Sequence, residues 1–532
     1  MAGFKDAKAR LRAISSGAGL AWILVGVVAG AAAIAAVVLY RADQNAFLYF
    51  GDAVSHLTRA RMFVDSRLPG VHNIGTVWLP LPHVIFLPFA LIDQLFYSGI
   101  AGSLIGIPCL AGSTVLLYSI LRRLTGSVWI SVVCALAFGL NPNLVYLALT
   151  PMTEMLLMFF VLLSAWMLLM WIDTGHDAYI FTCAAASVCA SLCRYEAWLC
   201  VVFVSVAALA ELSEQRAHGK PMRARMAALV SGMFVWYGIG FWLVWNYLEY
   251  GDWLKFAHWT HQIASRTAPE AIEGRPFETA RLIGTAIRAL YGPVILVCAG
   301  ASVVRCVRRG LENRSLMMLI FLSLPGIVAL GAIVAGYAEI DRWMWNWRYM
   351  LTLAPFLAVA AALGIQEIVE FARSAGARAA IALGIFAIPV IQCVMPERVG
   401  VSTYIDAKKE FVDETQYAKK AGEQLRQSDT SGSIALVTGY AQSQRIMISS
   451  GLPLKRFHTI NSAEDDELFQ PLWPDEEYVV IGKRSRPESS RLVEFWLTRR
   501  SLLLERYRII WEDPYYLILK LNPAESPLHE RS

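Results

Sequence analysis

Apolar residues in this chain fall into uncharged or nearly uncharged runs at roughly 17–40, 98–121, 127–148, 151–172, 178–193, 197–212, 226–248, 284–304, 315–338, 349–367 and 378–396. About 20 such residues in a helix cross the hydrocarbon of a bilayer, so the pattern predicts about eleven transmembrane helices. The stretch Gly17–Tyr40 is long enough to span and reads as an uncleaved first helix rather than a signal peptide. The runs 178–193 and 197–212 are short. Arg194-Tyr195-Glu196 between them reads either as a tight turn at the membrane surface or as a polar interruption of one bent helix. Trp78-Leu-Pro-Leu-Pro-His83 opens an apolar stretch, to about Phe96, that is too short and too broken by proline to cross. It reads as a helix lying in the interface.

After residue 396 the pattern changes. Helix-like stretches (Ala407–Arg426, Ser489–Arg506) alternate with short β-branched runs (Ile434–Thr438, Tyr478–Ile481, Tyr515–Leu521), punctuated by Gly and Pro. The fold class expected is therefore mainly α. A polytopic helix bundle occupies 1–396, with long polar loops at 41–97 and 249–283, and a small soluble α/β domain occupies 397–532.

Basic residues set the orientation. Lys5 to Arg12, Arg122 and Arg123, Arg216 to Arg225, and Arg305 to Arg314 all fall on one side if the helices alternate, and that side is the cytoplasmic one. The amino terminus is then inside. The two long loops and the tail are extracytoplasmic, on the outer face of the plasma (inner) membrane.

Composition agrees, with 56% hydrophobic and only 17% charged residues. The net charge of +5 comes from residues in short loops, without the continuous basic stripe of a nucleic-acid binder. None of the nine cysteines forms a CxxC pair, so neither a zinc site nor a disulfide framework is indicated. The chain has no GxxxxGK loop, no HExxH helix and no GxSxG elbow, which removes the motif basis for a nucleotide-driven pump, a zinc protease or a serine hydrolase.

Charges in so apolar a chain are informative. Asp52, His56 and Arg59 recur at spacings of four and three and share one helix face, although Asp52 serves equally well as a helix N-cap. Glu154 is the only charged residue between Leu124 and Ile172. It is either a first-turn acid favoured by the helix dipole or part of a site, and the two roles are compatible. Arg194, Arg342 and Arg348 map to outer-side helix ends, where arginine also snorkels or pairs locally with Glu196 or Asp341. Lys255, His258 and His261 lie in the second long loop. The two histidines have helical metal-ligand spacing but no evident third ligand. The acidic run Glu464-Asp-Asp-Glu467 reads as a solvated loop.

Taken in order, several features resemble the GT-C membrane glycosyltransferases. They are an amino-terminal helix followed by a long outer loop opening on an acid, and a Pro-containing interfacial helix. A span ending Leu-Leu-Tyr-Ser-Ile-Leu-Arg-Arg123 follows, then Thr153-Glu154 heading a later span, and Arg348-Tyr-Met-Leu-Thr-Leu-Ala-Pro355. The likeness is to the branch with protein O-mannosyltransferases and aminoarabinose transferases, and it covers most of the membrane part. It implies transfer of a sugar from a polyprenyl-phosphate carrier to a protein, lipid or glycan acceptor at the outer face, among membrane lipids and without nucleic acid. Asp52 falls on the family's general base, which implies an inverting single displacement. Arg194, Arg342 and Arg348, with Arg59, Lys255 and His258 behind them, would meet the phosphate. Glu154 would orient the sugar or acceptor, and His56 and His83 would hydrogen-bond in the same cleft.

Two departures stand out. Asp52 is followed by Ala53, where protein mannosyltransferases often carry an adjacent acidic pair, and there is no clear DxD. No metal site is assigned and no obligatory cofactor is expected, with a divalent ion left open. The alternative class is a multi-span lipid or solute transporter or flippase, against which the absence of an internal repeat counts. Exchanging Asp52 for Asn separates the classes, because only a transferase depends on that carboxylate.

Overall fold

A computed structural model describes residues 2–75, 77–217, 222–267, 275–338, 340, 346–372, 374–394, 403–428, 431–460, 476–483, 497–498 and 500–522. The chain forms two compact units, and their boundaries differ from a simple division at 396/397. One comprises Met1–Asp43, Val77–Pro82 and Gly102–Asp406, and the other Gln44–Thr76, His83–Ala101 and Ala407–Ser532. Most of the first long loop thus folds with the tail. Its helix Gly51–Met62 packs against the tail helix Tyr440–Ser450.

The first unit is a helix bundle, and the protein is an integral membrane protein. Seven helices among the described residues are long and apolar enough to cross a bilayer, or eight if one bent pair counts as a single span. That pair is Val128–Gly139 with Pro142–Leu149, bent by 52°. The runs at 178–193, 197–212 and 378–396 give shorter apolar helices, Asp177–Ser191, Tyr195–Ala210 and Ala375–Ala387. Among the described residues, then, seven or eight of the eleven apolar runs form helices of full spanning length, and the two runs on either side of the Arg194–Glu196 turn form shorter ones. The Pro-containing stretch forms Leu81–Ala90, also shorter than a span.

Two breaks in this bundle support each other. Asn141 caps the helix Pro142–Leu149 by accepting the Asn143 N–H at 2.9 Å. The helix Pro276–Arg309 is interrupted at Gly292 (φ 75°, ψ 161°), just before Pro293. A proline withholds its N–H, so carbonyls of the preceding turn lose helical partners. The Asn141 amide donates to one of them, Leu290 O, at 3.3 Å.

Close approach of backbones sets the packing elsewhere. A Cβ on Gly364 would lie 1.7 Å from the carbonyl oxygen of Cys298, so the helices Ala354–Ala372 and Pro276–Arg309 meet through a glycine contact that tolerates no side chain. Gly364→Ala forces these helices apart. It is expected to cost about 1–3 kcal/mol, read as a lowered melting temperature in detergent. A variant that melts with the wild type would contradict the contact.

Ion pairs gather at one end of the bundle. Asp173, the penultimate residue of the helix Glu154–Thr174, pairs with Arg123 and, at 2.8 Å, with Arg314. Glu367 pairs with Arg308 at 3.0 Å and Arg309 at 3.4 Å. Arginines that the sequence assigns to one membrane side are thus brought together by shared carboxylates.

The second unit holds a five-stranded sheet of order β2-β1-β3-β5-β4, formed by β1 (Ile434–Val437), β2 (Phe457–Ile460), β3 (Tyr478–Gly482), β4 (Tyr507–Glu512) and β5 (Tyr516–Leu521). Strands β2, β1 and β3 run parallel, and β5 and β4 close the sheet as an antiparallel hairpin. The hairpin turn is held by Asp513, whose Oδ1 accepts the N–H groups of Tyr515 and Tyr516. Strands β1 and β3 are buried throughout, which is why they read as continuous apolar runs. Strands β2 and β4 lie at the edges and carry polar residues that hide them from a hydropathy pattern. The expected helix 407–426 appears as Thr403–Glu410, a π-helical turn Phe411–Thr415 and Gln416–Gln427.

Candidate active site

In the helix bundle, the lone acid Glu154 collects two of the arginines picked out in the sequence. It is the first residue of the helix Glu154–Thr174 and is fully buried. Arg194 Nη1 donates to Glu154 Oε1 at 3.2 Å and to Thr153 Oγ1 at 3.0 Å. Its Nε and Nη2 donate to Glu196 Oε1 at 2.9 and 2.7 Å. Arg348, itself 3% exposed, brings Nε to within 3.6 Å of the same Glu154 oxygen. The Tyr349 ring sits 5.8 Å from the Arg194 guanidinium and 5.5 Å from that of Arg348. Two guanidiniums therefore share one carboxylate, and Glu196 supplies a second. Glu154 Oε2 is buried and has no hydrogen-bond partner among the described residues.

Neighbouring elements hold these groups in place. Arg194 leads into the short 3-10 turn Tyr195–Ala197. Tyr195 stacks on Phe256 with ring centres 4.8 Å apart, donates to Val77 O at 2.8 Å and accepts from Trp242 Nε1 at 3.1 Å. Arg348 lies in the 3-10 segment Trp347–Leu353, which begins after Asn346 in the left-handed region (φ 59°). Asparagine tolerates that conformation better than most residues do. Tyr291 Oη donates to Met350 O at 2.7 Å and secures the segment from the far side.

The other predicted residues of this unit stand elsewhere. His258 is 61% exposed and pairs with Asp252 at 2.7 Å. Asp252 also accepts the Leu254 N–H, and these two bonds hold its carboxyl below the usual carboxylate range. Lys255 Nζ lies 4.9 Å from the Trp259 ring centre. Among the described residues no three His, Cys, Asp or Glu side chains gather as a metal cage. Arg342, Asp341 and the run Glu464–Glu467 lie outside the described residues.

In the second unit, Asp52, His56 and Arg59 share the helix Gly51–Met62. The N-cap position belongs to Phe50, so Asp52 is a first-turn acid and not the cap considered for it in the sequence. His56 Nδ1 lies 3.0 Å from His83 Nε2, and both rings are buried. His83 Nδ1 bonds the carbonyl of Ile74, which can only accept, so that nitrogen carries its proton. Burial, with His56 beside it, holds His83 well below the ordinary histidine range. A neutral His83 must then accept at Nε2 from the His56 Nδ1–H. Arg59 Nε donates to Tyr440 Oη at 2.8 Å.

Sequence reasoning missed the tail residues of this unit. Arg445, 2% exposed, donates to the carbonyls of Leu48 and Tyr49, and Phe411 stacks on Tyr49 with ring centres 5.1 Å apart. Glu410 Oε1 accepts the Gly51 N–H at 2.8 Å. No local signal identifies them, because each is an ordinary residue of a soluble helix until the chain folds back across more than 350 positions.

No family model matches this sequence, and no curated relative matches it. Solved structures do. ArnT from Cupriavidus metallidurans bound to undecaprenyl phosphate aligns over 92% of this chain and 97% of its own, with TM-score 0.55 and 13% identity. The apo state of the same protein aligns over 94% and 98%, with TM-score 0.52 and 14% identity. The chain shares its overall fold with these ArnT structures. At this identity the likeness establishes architecture, and it agrees with the order of motifs read from the sequence.

Proposed function

We propose that this protein is a glycosyltransferase that moves a sugar from a polyprenyl-phosphate carrier to an acceptor hydroxyl at the outer membrane face. The observation that carries the reading is the buried cluster in which Arg194 and Arg348 share Glu154, within the fold that this chain has in common with ArnT. Buried charge is costly unless paired, so its retention among apolar helices argues for use.

Each guanidinium has five N–H donors, and Arg194 divides its own among Thr153, Glu154 and Glu196. A carrier phosphate competes for those forks, and the carboxylates keep the arginines aimed in its absence. Glu154 Oε2, with its lone pairs unused by the described residues, suits a sugar hydroxyl. A small, mostly apolar pocket of about 30 Å³, lined by residues including Phe138, Tyr291 and Leu357, adjoins the segment that bears Arg348; it has room for a water or two, so an isoprenoid tail would lie along the lipid-facing helices rather than in it. Undecaprenyl phosphate is the ligand of the ArnT structure above.

One helix supports this sidedness. Glu154 begins the helix whose other end, at Asp173, carries the arginine cluster. At about 1.5 Å per residue the two ends are separated by roughly a bilayer's hydrocarbon thickness. If arginines mark the cytoplasm, the Glu154 cluster lies outside.

In the reaction, the acceptor oxygen attacks the anomeric carbon while its proton passes to the Asp52 carboxylate. The bond from that carbon to the phosphate oxygen breaks, and its electron pair leaves with the phosphate. Attack opposite the leaving group inverts the centre. The arginines stabilise the charge that grows on the phosphate.

The test is a thermal-shift panel of polyprenyl-phosphate sugars on purified protein. One donor, and not its epimers, is expected to raise the melting temperature, with stabilisation approaching about 2.7 kcal/mol at 100 times its Kd. Arg348→Ala should abolish the shift. No shift from any donor sinks the reading.

A further inference from the structure

We propose that Glu410, in the tail, is the positioning residue for Asp52, so that the tail sets the geometry of the general base. This rests on the reading of Asp52 given above. The helix Gly51–Met62 lacks a side-chain cap of its own, since Phe50 occupies the N-cap position and makes no capping bond. Its first-turn N–H groups need acceptors from elsewhere.

Glu410 supplies one. Its Oε1 accepts the N–H of Gly51, the residue immediately before Asp52, and its negative charge suits the positive end of the helix dipole. A Cβ at position 51 would stand 2.8 Å from that oxygen, so a side chain there would push the Glu410 carboxylate off the amide.

Two further tail groups grip the same stretch. Phe411 stacks on Tyr49, and the buried Arg445 donates to the carbonyls of Leu48 and Tyr49 while its guanidinium lies 5.3 Å from the Phe411 ring centre. Glu410 and Phe411 stand where the helix Thr403–Glu410 gives way to the π-helical turn Phe411–Thr415, a distortion that changes the direction of successive side chains. Residues 48, 49 and 51 are thus all held by the tail, and Asp52 follows directly.

Glu410→Gln keeps a carbonyl that accepts from Gly51, whereas Glu410→Ala keeps nothing. Glu410→Asp retains the charge but withdraws it by one methylene. Measured by donor turnover, Gln is expected to stay within about threefold of wild type. Ala, and to a lesser degree Asp, should lose about 10- to 100-fold in kcat with KM for the donor unchanged, the penalty of a misplaced base.

Hydrogen exchange followed by mass spectrometry provides a readout that needs no activity. Backbone amides of 51–55 should exchange faster in Ala and Asp than in wild type or Gln. Wild-type turnover and exchange in the Asp variant overturn the proposal, as does a loss confined to KM. If the wild-type protein transfers no sugar from any donor, the transferase reading has failed. The exchange experiment then decides the positioning role alone: faster exchange upholds it, and unchanged exchange refutes it.

Discussion

Asp52→Asn is expected to lower the turnover of sugar transfer by about 10²- to 10⁴-fold while leaving donor binding and the melting temperature close to wild type. Asparagine has nearly the shape of aspartate but takes up no proton, so the acceptor oxygen must attack as a neutral hydroxyl. The structural contribution of the carboxylate is small by comparison. As a half-exposed acid in the first turn of the helix Gly51–Met62, Asp52 contributes about 0.3–1 kcal/mol through the helix dipole. The expected effect on rate is worth several times that. Near-normal turnover in a folded Asp52→Asn protein would remove Asp52 as the general base.

Glu154→Ala is expected to produce the largest loss of stability among single changes, about 3–5 kcal/mol, together with loss of transfer. The magnitude follows from where the charges sit. Arg348 is 3% exposed and reaches within 3.6 Å of Glu154, and Arg194 donates to the same oxygen. Taking away the shared carboxylate removes the negative charge that two guanidiniums share in an apolar bundle, while Arg194 keeps Glu196 and Thr153. Glu154→Gln keeps an acceptor for Arg194 but loses the charge, so it should fold better than the alanine variant and still transfer poorly. Thermal unfolding in detergent and single-turnover assays read the two effects separately. An alanine variant as stable as wild type would mean that the cluster is not held together as charges.

The membrane elements were legible because a bilayer imposes one simple demand, a long uncharged run, and eleven such runs stand out in the sequence. Their lengths in the structure were less legible. The 52° bend at Asn141-Pro142 divides a run that hydropathy alone treats as one span, and the runs on either side of the Arg194 turn form shorter helices. In the tail, the buried strands β1 and β3 announce themselves by continuous apolar residues, while the edge strands β2 and β4 do not. The site residues divide in the same way. Glu154, Arg194 and Arg348 attract notice singly because charge in an apolar chain is expensive. That all three meet at one carboxylate oxygen is a fact of packing.

The sequence by itself determined that this chain lives in a membrane, which ends of its helices carry the arginines, and which few charged residues need a reason to be there. Those follow from local cost, since each residue's transfer free energy is a property of its own side chain. Only the tertiary structure decided that Arg194 and Arg348 share Glu154, that His83 is locked against His56, and that Glu410 reaches the amide beside Asp52. Such contacts join residues tens to hundreds of positions apart. No periodicity or spacing encodes them, because the energy that selects them arises only when the helices have packed.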